Sequence, residues 1–350
     1  MTIAAAIAWS FTGLALSLIV GTKAEAREAT TMNKRSKIPA TASQGCDKAA
    51  PISIFTRLTD EPVLKPRSGL FDSAGAYNPA AAKVGRKIVL LYRAQDDKGT
   101  SYVGYAESSD GIKFNARPQA VLSPEADYEK DGGVEDPRLQ KIGSLYYLTY
   151  TGYNKKDAQL CLAVSRDLVN WERKGVIMPA GKGSWNVRWT KSGAIVPRKI
   201  NGRYWMYYMG DGANGGNDQM GLASSEDLIH WQDATSEPVL KRRAGKFDSR
   251  VVEPGPAPIM TKDGILLIYN GADDKLVYRV GWVLFDKKNP ARVIARSDEP
   301  LLSPEHDWEK VGQVPNVVFV EGMVRRGSEL LFYYGGADTT TGVASARLTR

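Results

Sequence analysis

The chain has 350 residues, 43% hydrophobic and 25% charged, which suits one large globular domain and excludes disordered, fibrous and collagen-like classes. Its net charge of +8 comes from scattered Lys and Arg. The densest basic run, Lys241-Arg242-Arg243, is three residues long and falls in a loop, so the aromatic-interleaved basic stripe of a nucleic-acid binder is missing.

At the N-terminus, Ala4 to Val20 is almost continuously apolar and Ala24-Glu25-Ala26 supplies small residues at the positions a signal peptidase reads. Residues 1–26 are therefore expected to be a signal peptide and the protein periplasmic or secreted, although no Lys or Arg precedes the apolar run. That run is short for a bilayer span and is broken by Thr12 and Gly13, so no stable membrane span is expected in the mature chain. Residues 27–55 are polar and without periodicity, as in a flexible tether, and residues 56–350 form the main domain. Cys161 lies in the apolar run Leu160 to Val164, where a buried free thiol is the simplest expectation. A disulfide to Cys46 stays open for an exported chain.

From about residue 70 onward the chain repeats. Apolar, aromatic-rich runs end in Tyr near Tyr92, Tyr150, Tyr208, Tyr269 and Tyr333, at steps of 58, 58, 61 and 64 residues. A second series keeps the same frame: Ser109-Asp110-Gly111 with Phe114, Arg166-Asp167-Leu168 with Trp171, and Glu226-Asp227-Leu228 with Trp231. The runs are about five to eight residues long and rich in Val, Ile, Tyr and Trp, which favours strands over helices. Five such units predict an all-β fold, a five-bladed β-propeller. A two-sheet sandwich would not explain why Leu122-Ser123-Pro124-Glu125 recurs as Leu302-Ser303-Pro304-Glu305, 180 residues on, three repeat lengths away. In a propeller the first residues of each innermost strand converge on a central channel, where a ligand site is expected.

The duplication keeps its framework but changes one charge. Asp127-Tyr128-Glu129-Lys130 recurs as Asp307-Trp308-Glu309-Lys310, whereas Asp136-Pro137 falls opposite Asn316-Val317. Asn78-Pro79 precedes Tyr92 by the same fourteen residues that separate Asp136 from Tyr150. Asn78, Asp136 and Asn316 are thus expected at equivalent channel positions, with one proton donor among them. The proline after Asp136 is expected to hold it extended at the strand start. A turn-capping Asp is the plainer alternative. Glu253, before Pro254-Gly255-Pro256, is pre-set in a similar way, and Glu135 and Glu321 are the other carboxylates near inner-strand starts. His230 and His306 fall outside those starts, which argues against a Ser-His-Asp system or a multi-histidine zinc site. No loop has the Asp spacing of a calcium motif, so neither metal nor cofactor is expected. Two carboxyl groups in a cleft lined by Trp and Tyr suit glycoside hydrolysis, one protonating the leaving oxygen and the other activating water or attacking.

The motifs Tyr77-Asn78-Pro79, Leu91-Tyr92-Arg93-Ala94, Glu135-Asp136-Pro137-Arg138, Gly255-Pro256-Ala257-Pro258-Ile259, Leu267-Ile268-Tyr269-Asn270-Gly271, Asn316-Val317-Val318-Phe319 and Tyr334-Gly335-Gly336-Ala337-Asp338 span all five units in order. Together they resemble glycoside hydrolase family 130, the mannoside phosphorylases and β-mannosidases built on five-bladed propellers. The resemblance implies an inverting reaction on β-mannosides with Asp136 as general acid, reaching the glycosidic oxygen through a hydroxyl of the mannosyl residue. It also implies that Asn78, Arg93 and Arg138 hold sugar hydroxyls or orient the acid, with Asp338 a further sugar contact and an oligosaccharide as the partner.

Phosphorylases of this family share a basic cluster for inorganic phosphate, including an Arg, a Lys and the His of a Tyr-His-Gly motif. Arg173 and Lys191 are expected in the first two places and Tyr278 at a family Tyr, but the His position holds Asn270, a neutral amide that cannot help to bind a dianion by charge. Glu253 stands where phosphorylases usually carry a small residue, and Val320-Glu321 where they carry a different pair. A carboxylate there would repel phosphate and activate water, so hydrolysis with Glu253 as base, and Glu321 as alternative base, is the leading expectation. Phosphorolysis releasing mannose 1-phosphate is the alternative, and a non-catalytic carbohydrate-binding propeller is the reading from another class.

Overall fold

The computed structural model describes residues 50–181, 185–212, 215 and 218–349. The expected signal peptide and most of the expected tether lie outside these residues. The short strand β1 (Thr56–Arg57) comes first. Blade one is β2 (Gly75–Val84), β3 (Lys87–Gln95), β4 (Ser101–Ser108) and β5 (Asn115–Ala116), each antiparallel to the next. Blade two repeats the meander with β6 (Gly133–Ile142), β7 (Leu145–Tyr153), β8 (Ala158–Ser165) and β9 (Glu172–Met178). Blade three is β10 (Trp189–Ile195), β11 (Tyr204–Asp211), β12 (Gln219–Ser225) and β13 (Trp231–Asp233). In blade four the inner strand is split into β14 (Val251–Pro254) and β15 (Ile259–Met260), followed by β16 (Ile265–Ala272), β17 (Tyr278–Phe285) and β18 (Val293–Arg296). A one-turn helix, α1 (Asp307–Lys310), leads into blade five: β19 (Val318–Arg326), β20 (Glu329–Gly336), β21 (Thr340–Ala346) and, as outermost strand, β1.

The chain therefore closes its own ring as a five-bladed β-propeller, because the N-terminal β1 completes the last blade and leaves no open joint between first and last sheets. The apolar residues collect between neighbouring blades. Val89, Leu91, Leu148 and Tyr150 sit between blades one and two, and Val252, Tyr207, Leu267 and Phe285 between three and four. Each such side chain contributes about 1.5–3 kcal/mol on full burial, so the seams between blades, more than any single sheet, hold the ring. Residues before 56 also belong to the propeller, inside the stretch expected to be a tether. Ile52 and Phe55 are buried in the seam between blades four and five, and Phe55 stacks on Phe332 with ring centroids 4.3 Å apart.

The tyrosine period has a physical cause. In each blade the Tyr hydroxyl donates to a carboxylate: Tyr92 to Asp72 at 2.9 Å, Tyr150 to Glu129 at 2.7 Å, Tyr208 to Asp233, Tyr269 to Asp248 at 2.6 Å and Tyr334 to Glu309 at 2.8 Å. The fifth member is Tyr334, correcting the expected Tyr333, whose side chain points to the other face of the strand and donates to the Gly111 carbonyl at 3.0 Å. The second series consists of identical turns. Asp110, Asp167 and Asp227 each accept two backbone N–H groups, and backbone hydrogen bonding holds Asp110 down at about 2. Cys161 is a free thiol buried in β8, and burial raises it to about 12. His230 is exposed on the rim, and His306 stacks on Trp308 in the loop before blade five.

Candidate active site

The inner strands β2, β6, β10, β14 and β19 bring one cluster of polar residues to the axis. In blades one to three each inner strand carries a two-residue bulge opposite its Tyr: Asn78-Pro79, Asp136-Pro137 and Ser192-Gly193. The first residue of each bulge is left-handed, with φ of 46° at Asn78, 49° at Asp136 and 62° at Ser192. Asp136 is therefore not extended, as its proline suggested. The bulge needs a turned residue, and Asn and Asp are the non-glycine types that tolerate that conformation best.

Asn316 does not belong to this series. Tyr334 lies 184 residues after Tyr150, while Glu309 lies 180 after Glu129, so four extra residues separate α1 from β19. The insertion leaves Asn316 exposed in the loop, and Val320-Glu321 takes the bulge position opposite Tyr334. Glu321, not Asn316, is blade five's polar contribution to the axis.

Asp136 is 9% exposed. Its Oδ1 accepts from Asn78 Nδ2 at 2.9 Å and from Arg93 Nη1 at 3.2 Å, while Oδ2 takes no hydrogen bond among the described residues. Burial works to raise Asp136, but Arg93, the Asn78 bond, Arg138 and Lys191 outweigh it and hold the carboxyl below its ordinary value. Arg93 also reaches Glu135 Oε1 through Nη2 at 2.7 Å and lies over the Tyr77 ring at 5.1 Å. Burial, less the pull of Arg93, raises Glu135. Asn78 thus orients the acid, and its approach to blade five requires Gly335, since a Cβ there would lie 2.0 Å from Asn78 Oδ1.

Across the axis, Glu253 is buried, 6% exposed, and accepts from Ser192 Oγ. Burial raises it, against the opposing effects of Arg138, Ser192 and Lys191. Glu321 is more extreme. It is 1% exposed, neither oxygen takes an aligned hydrogen bond, and burial raises it well above the carboxylate range despite Arg138 Nη2 at 3.1 Å. Asp338, left-handed at φ 49°, faces the same charges, and burial together with Asp136, Glu253 and Glu135 raises it to about 7 against the pull of Arg93. Lys191 faces Asp136, Glu135, Glu253 and Asp218 and makes no ion pair among the described residues, its Nζ lying 5.2 Å from the Trp189 ring centroid. Tyr278 is close enough to Glu253, Asp218 and Asp338 to be raised by them, after burial, which is the larger cause.

Three expected contacts are already engaged by the protein. Arg173 sits on the outer strand β9, where it binds Glu129 at 3.1 Å, Glu125 at 2.9 Å and the Ser123 carbonyl, so it holds a blade together and is not part of the channel. Asn270 is 0% exposed and spends both ends of its amide on the Val320 backbone, at 2.8 and 3.1 Å, clasping blades four and five. Arg138 is 1% exposed and binds the carbonyls of Asp136, Pro254 and Gly255, so it braces the strands that carry Asp136 and Glu253, and of its two expected roles the contacts favour orienting the acid. Conversely, Arg250, Asp218 and Ser192 join the cluster without belonging to any motif. Arg250, at the start of blade four's inner strand, faces Tyr278, and Asp218 is raised to about 6 by burial, Asp211 and Glu253. Their only signal in the sequence was position at or near the axis end of a strand.

The family model described as beta-1,4-mannooligosaccharide phosphorylase matches residues 54–350. The 1,2-beta-oligomannan phosphorylase of Thermoanaerobacter sp. (strain X514) is 41% identical over 299 residues, 82% of this chain and 95% of that protein. The beta-1,2-mannobiose phosphorylase of the same organism is 36% identical over 307 residues, 83% of this chain and 96% of that protein. A solved structure, from work stating that this family of mannoside phosphorylases contains glycoside hydrolases targeting beta-1,2 mannosidic linkages in Candida mannan, is 34% identical with a TM-score of 0.77, covering 89% of this chain and 96% of that one.

Proposed function

Because the chain belongs to glycoside hydrolase family 130, we propose that it cleaves β-linked mannosides, β-1,2-linked ones first among them, with inversion, Asp136 acting as general acid and inorganic phosphate as nucleophile. The observation that carries the acid is the bulge. It turns Asp136 toward the axis with Oδ1 engaged by Asn78 and Arg93 and Oδ2 without a partner among the described residues, so one oxygen is fixed and the other is the position from which a proton can be given. The proton passes to the departing oxygen, which leaves with the bonding electrons, and Asp136 is left as a carboxylate paired with Arg93.

Phosphate is supported by the relatives and by two cations, Lys191 beside the axis carboxyls and Arg250 facing Tyr278, that have no ion-pair partner among the described residues. The objection drawn from sequence, repulsion by Glu253, is weaker than expected. Burial shifts Glu253 toward its neutral form, which repels an anion less and can donate a hydrogen bond to it. Hydrolysis is the second reading, favoured by that same residue. Glu253, oriented by Ser192 beside Lys191, has the surroundings of a base for water once it is ionised.

Incubation with β-1,2-, β-1,3- and β-1,4-mannobiose, with and without phosphate, separates the readings. Phosphate-dependent turnover of the β-1,2 substrate to mannose 1-phosphate is expected, with little loss in Glu253→Gln. Mannose released equally well without phosphate, and abolished by Glu253→Gln, selects hydrolysis. No cleavage of any mannoside leaves a carbohydrate-binding propeller.

A further inference from the structure

Glu135, next to the acid, is a buried carboxylate that the proposed chemistry does not use. Its Oε1 lies 2.7 Å from Arg93 Nη2, closer than the 3.2 Å between Arg93 Nη1 and Asp136 Oδ1, so one guanidinium is divided between neighbouring carboxyls and Glu135 holds the nearer nitrogen. Ser101 Oγ is 3.5 Å from the same Glu135 oxygen, and Arg93 Nε in turn donates to Ser101 at 3.1 Å, which fixes the guanidinium on blade one.

We propose that Glu135 is a positioning residue of the general acid: by holding Arg93 it keeps the guanidinium from closing a full ion pair on Asp136, and so leaves Asp136 easier to protonate than an undivided Arg93 would. The proposal rests on Asp136 being the acid. Asp136 is already held below its ordinary value, and beside an undivided arginine it would be held lower still and would carry its proton over a narrower pH range. The other groups facing the pair are Arg138 on its own strand, Tyr77 from β2, Lys191 from β10, Glu253 from β14, Glu321 from β19 and Asp338 after β20. Arg138 and Lys191 favour the ionised acid, and the carboxyls oppose them. Glu135 is the one carboxylate among these in direct contact with Arg93 besides Asp136.

The test is the pH profile of kcat/KM on β-1,2-mannobiose for wild type, Glu135→Gln, Glu135→Asp and Asp136→Asn, with phosphate present and absent and melting temperatures recorded alongside. Glu135→Gln removes a negative neighbour and gives Arg93 wholly to Asp136, so the alkaline limb moves to lower pH. A shift of about one unit means about tenfold loss above the limb and near-recovery below it. Glu135→Asp, which keeps the charge but withdraws it, moves the limb the same way by less and is the readout if the Gln variant does not fold. An aryl mannoside with an acidic leaving group, which needs less protonation, loses less activity in both variants. An unmoved limb, or a loss equal at every pH, overturns the proposal while leaving Asp136 as the acid. Asp136→Asn retaining activity removes the premise itself.

Discussion

Glu309 and Glu321 lie on either side of the start of the same blade, both essentially without solvent exposure and both beside an arginine, yet their surroundings shift them in opposite directions. Glu309 accepts from the Glu305 and His306 backbone at 2.6 and 3.0 Å, from Tyr334 at 2.8 Å and from Arg57 Nε and Nη2 at 2.8 and 2.7 Å. Those bonds overcome burial and hold it below the ordinary value. Glu321 has one arginine out of line, shared with Glu253, and burial drives it the other way. The lesson is that burial alone does not set a carboxylate's role here. At Glu309, on the outer side of the blade, both oxygens are hydrogen-bonded and the charge is structural. On the axis the answers are incomplete among the described residues, the condition under which carboxyls can serve in proton transfer.

Breaking the outer kind has the largest expected effect. Arg57→Ala strips Glu309 of its guanidinium and unfastens β1, the strand that closes the ring, and costs about 3–5 kcal/mol, the range for an orphaned buried charge. Because the folded Glu309 value is depressed, this contribution is fully present above the unfolded value of about 4.3 and is lost as pH falls through the folded value. Melting curves of wild type and variant should therefore be far apart at neutral pH and converge in acid. A gap that does not narrow would show that packing, and not charge, supplies the stability.

On the axis, Asp136→Asn is expected to lower turnover at least about a hundredfold while leaving the melting temperature in place. Asn already occupies the equivalent left-handed bulge of blade one, at Asn78. Activity within a few-fold of wild type would move the acid to Glu135.

The smallest of the three effects sharpens the division between the two regions. Lys191→Met should raise the KM for phosphate about tenfold, the loss of one charge-assisted contact, whereas Arg173→Ala should destabilise blade two and leave that KM unchanged. The reverse pattern, read by phosphate titration, would put Arg173 back in the nucleophile site.

Much of this protein is decided along the chain. A propeller repeats one sheet, so the Tyr period, the Asp turns and the duplicated Glu129 and Glu309 segments recur wherever the same backbone needs the same latch. The five-bladed ring follows from their spacing, Asp136 was legible as an exception to the repeat, and Glu253 stood out by the Pro254-Gly255-Pro256 that follows it. Which polar residues face the axis was decided only when the blades were placed together. Asn316 was displaced by four inserted residues, which change the register without disturbing the motif. Arg138, Arg173 and Asn270 look like ligand-binding groups in isolation, but the neighbouring strands or blades supply them with carbonyls and carboxylates, and a donor already satisfied by protein has nothing left for a ligand. Arg250 and Asp218 gained their place for the complementary reason. Their positions on inner or adjoining strands set them at the axis, and the protonation state of each carboxyl there depends on charges contributed by strands far away in sequence.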